Sequence, residues 1–137
     1  METTHPTPGL VDRELDVART VDDAACYLDC YGWCQGELYQ TVHGRFPRAC
    51  ALGAIYLVTF HTPVTTFEAV SRDDDVGVHA RLVICEFADY LDDGIYRNDD
   101  TPAEVVWNFN DHPDATDQLV TRAFRAAATR YRSTLDA

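Results

Sequence analysis

The sequence contains no lysine. All 11 of its basic residues are arginine, 17 of its 23 acidic residues are aspartate, and the formal net charge is −12. Because nucleic-acid binding relies on basic stripes that neutralise phosphates, this charge excludes nucleic acid as a direct partner for most of the surface. The Arg and Asp bias is typical of GC-rich coding and of salt-adapted proteomes, so it indicates a source more than a function.

Long apolar runs are also missing, which excludes a membrane-spanning helix. The first residues, METTHPTPGL, lack a basic region followed by an apolar core, so we expect neither a signal peptide nor a lipid anchor. A chain of 137 residues with 46% apolar residues can bury a single core. We therefore expect a cytoplasmic protein with a disordered segment at 1–9, one helical domain at 10–132 and a tail at 133–137.

The five cysteines are odd in number and irregularly spaced, which indicates free thiols and not a disulfide framework. Cys26, Cys30 and Cys34 recur every four residues, but this run matches neither the C-x3-C-x2-C pattern of radical enzymes nor the repeated C-x2-4-C pairs of zinc ribbons. Cys26 and Cys30 are nevertheless metal candidates, because thiols at i and i+4 can hold a soft ion, and His43 is a candidate third ligand. We favour a structural role for both cysteines, and we expect no cofactor.

Hydrophobic periodicity predicts a mostly α fold. We expect a short helix at 10–19, a second helix from Val21 to Tyr31 that Gly32 ends, and a helix at 76–91 preceded by acidic residues. Residues 50–60 are apolar nearly all round, which predicts a central buried helix. Residues 105–111 fit either a strand or the entry to a last helix that Thr116 caps. The predicted architecture is a compact single domain of four or five helices around residues 48–60, with little or no sheet.

Cys50 stands at the predicted start of the central helix, where free N–H groups and the helix dipole can lower a thiol pKa. A catalytic thiol also needs a base and an orienting group, and His112 or His79 with Asp111 are the candidates, while His43 and His61 are further histidines. The alternative is that Cys50 packs in the core as a small apolar residue, as free cysteines usually do. Gly53, three residues later, predicts that another segment packs closely against this helix.

Acidic residues concentrate between residues 66 and 104, where 11 acids face three arginines, a local net charge of −8. Their spacing does not match a calcium-binding loop. The acids interpreted as a binding surface are Asp73, Asp74, Asp75, Asp92, Asp93, Asp99 and Asp100. This region is either a solvated face that keeps the protein soluble or an anionic surface that binds a basic protein, for instance by imitating DNA. We expect the arginines of the last helix to form charge pairs within the fold.

Three segments carry a resemblance to a known family. The first is Gly32, Trp33, Cys34, Gln35 and Gly36; the second is the run from Arg48 to Ile55, which includes Cys50 and Gly53; the third comprises Phe109, Asn110, Asp111, His112, Pro113, Asp114, Ala115 and Thr116. Together they resemble an uncharacterised family of domains of unknown function from actinobacteria and their phages, with motifs GW-x-QG, R-x-CALGAI and WND-x-PGRT. In the third motif Phe109 replaces the tryptophan, and Asp114 and Ala115 replace the Gly-Arg pair. The resemblance implies a small, mostly helical cytoplasmic protein and implies no activity.

The leading functional hypothesis is a small, non-enzymatic accessory protein of a bacterium or phage. It would bind a basic protein through its anionic surface, as an inhibitor or DNA mimic. A second hypothesis is a thiol-dependent hydrolase or transferase that uses Cys50, and a third is a structural or virion-associated protein. The sequence leaves the oligomeric state open, and a homo-oligomer is compatible with it.

Overall fold

The computed structural model of the protein describes residues 10–43, 46–92 and 100–136. The segment at 1–9, for which we predicted disorder, lies outside the described residues. Six helices lie in the described part: α1 (Leu10–Tyr31), α2 (Ala51–Phe60), α3 (Thr66–Val70), α4 (Asp75–Leu91), α5 (Pro102–Asp111) and α6 (Asp117–Asp136). Strands β1 (Tyr39–Gln40) and β2 (Arg48–Ala49) form a small antiparallel sheet in which Tyr39 pairs with Ala49. The prediction of a mostly α domain with little sheet is confirmed, although the helices number six instead of four or five.

Helix α1 is continuous, so the prediction of two helices separated at Thr20 is wrong. Val17 and Val21, on either side of Thr20, are both buried, and the apolar face continues without interruption to Leu28. The hydroxyl of Thr20 lies 2.9 Å from Nε2 of His79 on α4. Because Thr20 bonds to another helix, its side chain does not cap a new one, and the packing of the whole face favours one long helix.

Helix α2 is the centre of the core, as its sequence predicts. Its first seven residues, from Ala51 to Leu57, are all buried, and it packs against α1, α4 and α5. A Cβ atom added to Gly53 would lie 2.4 Å from the carbonyl oxygen of Leu38. The prediction that another segment packs closely against the backbone at Gly53 is therefore confirmed.

Helix α5 is a separate element, and residues 105–111 are neither a strand nor the entry to the last helix. Thr101 and Glu104 form a reciprocal capping box at its start, and Pro102 occupies its first turn. Thr65 and Glu68 form the same arrangement at the start of α3. Both helices thus begin at a Thr-x-x-Glu signal, which the periodicity analysis did not use.

Helix α4 begins at the acidic residues that the sequence places before it, and α6 begins at the predicted cap, Thr116. The side chain of Asp74 accepts a hydrogen bond from the N–H of Gly77, and that of Thr116 accepts one from the N–H of Leu119. Helix α6 lies along α1 and continues to Asp136, past residue 132, where we expected the domain to end. Phe87 of α4 stacks on Phe124 of α6 with ring centroids 4.3 Å apart, which joins these helices in the core.

Among residues 10–43, 46–92 and 100–136, none of the helices combines the length and the hydropathy that crossing a membrane requires.

Candidate functional site

All three motif segments meet at one buried side chain, Asn110, in the last turn of α5. Its Oδ1 accepts hydrogen bonds from Nε1 of Trp33 (2.6 Å) and from the main-chain N–H of Ala51 (2.9 Å). Its Nδ2 donates to the carbonyl oxygen of Cys34 (3.0 Å) and to Oδ1 of Asp111 (3.1 Å). These four bonds use both donors and both lone pairs of the carboxamide. Asn110, with these partners and with Gln35, is here named the Asn110 cluster.

The loop after α1 is shaped so that it reaches Asn110. Gly32 has φ of +104°, and its N–H closes the last turn of α1 on the carbonyl of Leu28. A side chain at Gly32 would be strained by this φ and would also lie 2.9 Å from Cγ of Arg48. The loop then forms two main-chain hydrogen bonds with Ala49 of β2. The N–H of Cys34 donates to the carbonyl of Ala49 at 3.0 Å, and the N–H of Ala49 donates to the carbonyl of Gly32 at 3.1 Å. The loop is thereby held against β2.

Gln35 and Gly36 bind the C-terminal end of α5. Nε2 of Gln35 donates to the carbonyl oxygens of Asn110 (3.0 Å) and His112 (3.2 Å). The N–H of Gly36, where φ is +83°, donates to Oδ1 of Asp111 at 3.0 Å. Carbonyls at a helix end have no partner within the helix, so these bonds cap α5 from a distant part of the chain. Gln35, Gly36 and Asp111 thus join the loop after α1 to the end of α5.

Cys50 is the N-cap of α2 and is completely buried. Its Sγ accepts a hydrogen bond from the N–H of Gly53 at 3.3 Å. Burial raises the pKa of the Cys50 thiol to about 12, and the bond from Gly53 offsets only part of that effect. The charge of Asp111 raises the pKa further instead of lowering it. This environment favours a neutral core thiol over an activated nucleophile.

The two candidate bases make hydrogen bonds of their own. His112 is exposed at the end of α5, and its Nδ1 accepts a bond from the N–H of Asp114 at 3.0 Å. His79 lies on α4 with its Nε2 near Thr20. Pro113 lies in the turn that leads to the Thr116 cap of α6. Each candidate histidine therefore has a hydrogen-bond contact with a residue other than Cys50.

Cys26 and Cys30 are exposed and face a groove between α1 and the C-terminal part of α2. Its volume is about 480 Å³, and we name it the α1–α2 groove; it is lined by Asp23, Cys26, Tyr27, Cys30, Tyr31, Phe46, Leu57, Val58 and His61. The histidine that accompanies the two thiols is therefore His61, and His43 is not among the lining residues. In the part of the chain that the structure describes, three or more candidate ligands do not come close enough to hold a metal ion together.

Aromatic side chains form one wall of the α1–α2 groove. The rings of Tyr27 and Tyr31 are 4.7 Å apart, those of Tyr31 and Phe46 are 5.0 Å apart, and Phe46 is 58% exposed. The hydroxyl of Tyr27 donates to the carbonyl of Pro47 at 2.7 Å, which fixes this ring. His61 ends α2 in the left-handed conformation, with φ of +62°. Sequence analysis missed the groove because Phe46 and His61 come from separate segments.

The acids predicted to form one surface lie at opposite ends of α4. Asp73, Asp74 and Asp75 stand at its start, while Asp92 ends it and Asp100 precedes α5. A helix of 17 residues separates the two groups by about 25 Å. Asp93 and Asp99 lie outside the described residues. Asp74 is also a cap, and its hydrogen bond from Arg72 lowers the pKa of its carboxyl.

Two arginines of α6 form ion pairs with acids of α1. Arg125 contacts Asp29 at 2.6 Å and Arg132 contacts Asp22 at 2.8 Å. Arg130 lies over the ring of Tyr90, with its guanidinium carbon 5.0 Å from the ring centroid. The two ion pairs hold α6 along α1.

Comparison with known proteins gives one match. The family model described as "Family of unknown function (DUF6197)" matches residues 12–130. No curated protein and no solved structure matches the chain.

Proposed function

We propose that this chain, which belongs to DUF6197, a family of unknown function, is a cytoplasmic accessory protein that binds a basic protein partner. The surface that we assign to this role is the acidic face of α4, composed of Asp75, Val78, Leu82, Cys85, Asp89 and Asp92. Its composition, with acids at the ends and apolar residues between them, is the observation that carries the proposal.

The six residues of the acidic face recur at alternating intervals of three and four, so they lie along one side of the helix. Asp75, Val78, Cys85, Asp89 and Asp92 are exposed, and Leu82 is half-buried. Val78 is 41% exposed. A solvated helix face would be polar along its whole length, so the apolar middle supports a surface that a partner covers.

The electrostatics of this face support a basic partner. The pKa of the Cys85 thiol is raised first by partial burial and then by the charges of Glu86 and Asp89, so two acids lie close to the apolar middle of the face. The flanking arginines have other contacts: Arg72 pairs with Asp74, and Arg81 donates to the carbonyl of Arg72 at 2.7 Å. A complementary positive partner would be guided to this face by long-range attraction.

The spacing of the acids favours an amphipathic protein partner over DNA mimicry as the mode of action. DNA carries one charge per about 1.7 Å of its axis, whereas the acidic face has three acids over about 25 Å. A basic amphipathic helix offers both the positive charges and the apolar stripe that this face would complement.

The proposal is tested with a synthetic amphipathic helical peptide rich in lysine and arginine, and with a scrambled peptide of the same charge. We expect the amphipathic peptide to bind the protein more tightly than the scrambled one, with an affinity that falls as salt rises. A triple variant, Asp75→Asn, Asp89→Asn and Asp92→Asn, should lose most of this binding. Isothermal titration calorimetry at several salt concentrations measures both effects.

A second triple variant provides the matched control. Glu37→Gln, Asp114→Asn and Asp117→Asn also remove three negative charges, but from exposed positions outside the acidic face. Circular dichroism establishes that both variants are folded. If the two triple variants bind the peptide equally, binding follows net charge alone and the assigned face is wrong.

The cytoplasmic part of the proposal is supported by the thiols, since all five cysteines are free and free thiols persist in reducing compartments. An actinobacterial or actinophage source is likewise part of the proposal. It is supported by the exclusive use of arginine among the bases and by the excess of aspartate.

A further inference from the structure

We propose that the α1–α2 groove binds a soft monovalent metal ion, Cu(I), between the thiolates of Cys26 and Cys30. This site is separate from the acidic face of α4, and the inference does not depend on the proposed function.

The spacing of the two thiols fits a single ion. Residues four apart on a helix are neighbours, with Cβ atoms about 5–6 Å apart. Two metal–sulfur bonds of about 2.3 Å span about 4.6 Å when the ion lies between the sulfurs. Cys26 and Cys30 are both exposed and both line the α1–α2 groove, so an ion can reach them without a change in the helix.

The number of ligands determines the type of ion. Zinc takes four ligands in structural sites, and the described residues do not contain a group of three or more histidines, cysteines and acids placed to hold one ion. Soft thiolates select Cu(I), which is satisfied by two such ligands. On binding, two S–H bonds and two protons are lost, two S–Cu bonds form, and the resulting bis-thiolate complex carries one negative charge.

The remaining walls of the groove suit this ion. Asp23 provides an anionic flank that attracts a cation as it approaches, while Leu57 and Val58 of α2 give an apolar floor. The rings of Tyr31 and Phe46, 5.0 Å apart, also line the groove. The apolar side chains of this lining favour a soft, poorly hydrated ion over a strongly hydrated one.

The other cysteines of the chain do not offer this arrangement. Cys34 and Cys50 are buried, and burial raises their thiol pKa values to about 11 and about 12. Cys85 is exposed on α4, far along the sequence from the groove. Because Cys85 is a single accessible thiol on a helix, it is the matched control for the pair.

The test is a competition for Cu(I) under anaerobic conditions. The ion is supplied as its complex with bicinchoninate, whose absorbance reports how much copper the protein removes. We expect one equivalent to transfer to the wild type and to Cys85→Ser. Cys26→Ser and Cys30→Ser should each bind at least ~100-fold more weakly, because losing one of two linked ligands removes the advantage of their proximity.

X-ray absorption of the copper-loaded protein gives the second readout, with two sulfur ligands per copper expected for the wild type. Circular dichroism of the serine variants verifies that the exposed substitutions leave the fold unchanged. Equal copper affinity in Cys26→Ser and wild type, an equal loss in Cys85→Ser, or a copper site with nitrogen or oxygen ligands only would each overturn the assignment.

Discussion

The Asn110 cluster and the α1–α2 groove lie at the two ends of the same central helix, α2. At the N-terminal end, Asn110 uses every hydrogen-bonding position of its carboxamide, and Cys50 is completely buried. At the C-terminal end, thiols, aromatic rings and His61 surround about 480 Å³ of open space. The amide of Asn110 is fully used in joining segments, whereas the groove leaves two thiols exposed.

The residues of the family resemblance are structural, whereas the accessible thiols lie outside the three motifs. The residues of the resemblance, such as Trp33, Gln35 and Asn110, have distinctive side chains because they must join three segments that are distant in sequence. Cys26 and Cys30, by contrast, are exposed and lie in no motif. In this protein the most recognisable residues stabilise the fold, and the accessible chemistry lies elsewhere.

The largest expected effect comes from removing the centre of the Asn110 cluster. Asn110→Ala leaves the buried N–H of Ala51 and the partly buried N–H of Trp33 without an acceptor, so we expect the free energy of unfolding to fall by ~3–5 kcal/mol. Urea denaturation measures this loss. Asn108→Ala, at an exposed position of the same helix, should change stability by less than ~0.5 kcal/mol.

A more conservative variant sharpens this prediction. Asn110→Asp keeps an acceptor for Trp33 and Ala51, yet it removes the donor to Cys34 and buries a charge beside Asp111. It should therefore also destabilise the protein. A stability close to wild type in both Asn110 variants would show that the cluster is incidental to the fold.

Alkylation of the cysteines compares the two ends of α2 directly. In the native protein we expect Cys26, Cys30 and Cys85 to react with iodoacetamide at neutral pH. Cys34 and Cys50 should react at least ~100-fold more slowly, because they are buried and require an opening of the structure. Peptide mass spectrometry follows each site. Fast modification of Cys50 before unfolding would break the comparison and revive the thiol-enzyme hypothesis.

The close approach at Gly53 predicts a smaller loss. The added Cβ of Gly53→Ala would lie 2.4 Å from the carbonyl oxygen of Leu38, so the backbone must shift at a cost of ~1–3 kcal/mol. Gly36→Ala meets no atom within 4 Å, and its cost comes only from positive φ, about 1 kcal/mol. Thermal unfolding of the two variants should rank Gly53→Ala as the less stable. The reverse order would contradict the tight packing.

The burial of Cys50 also predicts a pH dependence. Burial raises the pKa of Cys50 from 9.0 to about 12, so the stability that its neutral thiol contributes is present below pH 9 and is lost between pH 9 and 12. In that window Cys50→Ser should lose stability less steeply than wild type, by up to about 1.4 kcal/mol per pH unit. Urea denaturation from pH 8 to 10.5 measures the slopes. Parallel slopes would mean that Cys50 is not buried as a neutral thiol.

The helical class, the central position of α2 and most helix ends are predictable from local sequence patterns. These features depend on interactions within about four residues, such as the bond from Gly77 to Asp74, or on an apolar run that has one stable environment. The close packing at Gly53 was predictable for a similar reason, because glycine in a helix interior requires a cause.

The contacts between side chains of different elements depend on how the whole chain packs. Thr20 and His79, and likewise Ala51 and Asn110, are 59 residues apart, so no local pattern indicates that they bond. Such contacts favour one continuous helix α1 over two shorter ones, and they bring the three motif segments together at the side-chain amide of Asn110. They also placed His61 instead of His43 beside the paired thiols. Hydrophobic periodicity records which face of a helix is buried, but the partner of that face is selected by the packing of the whole chain.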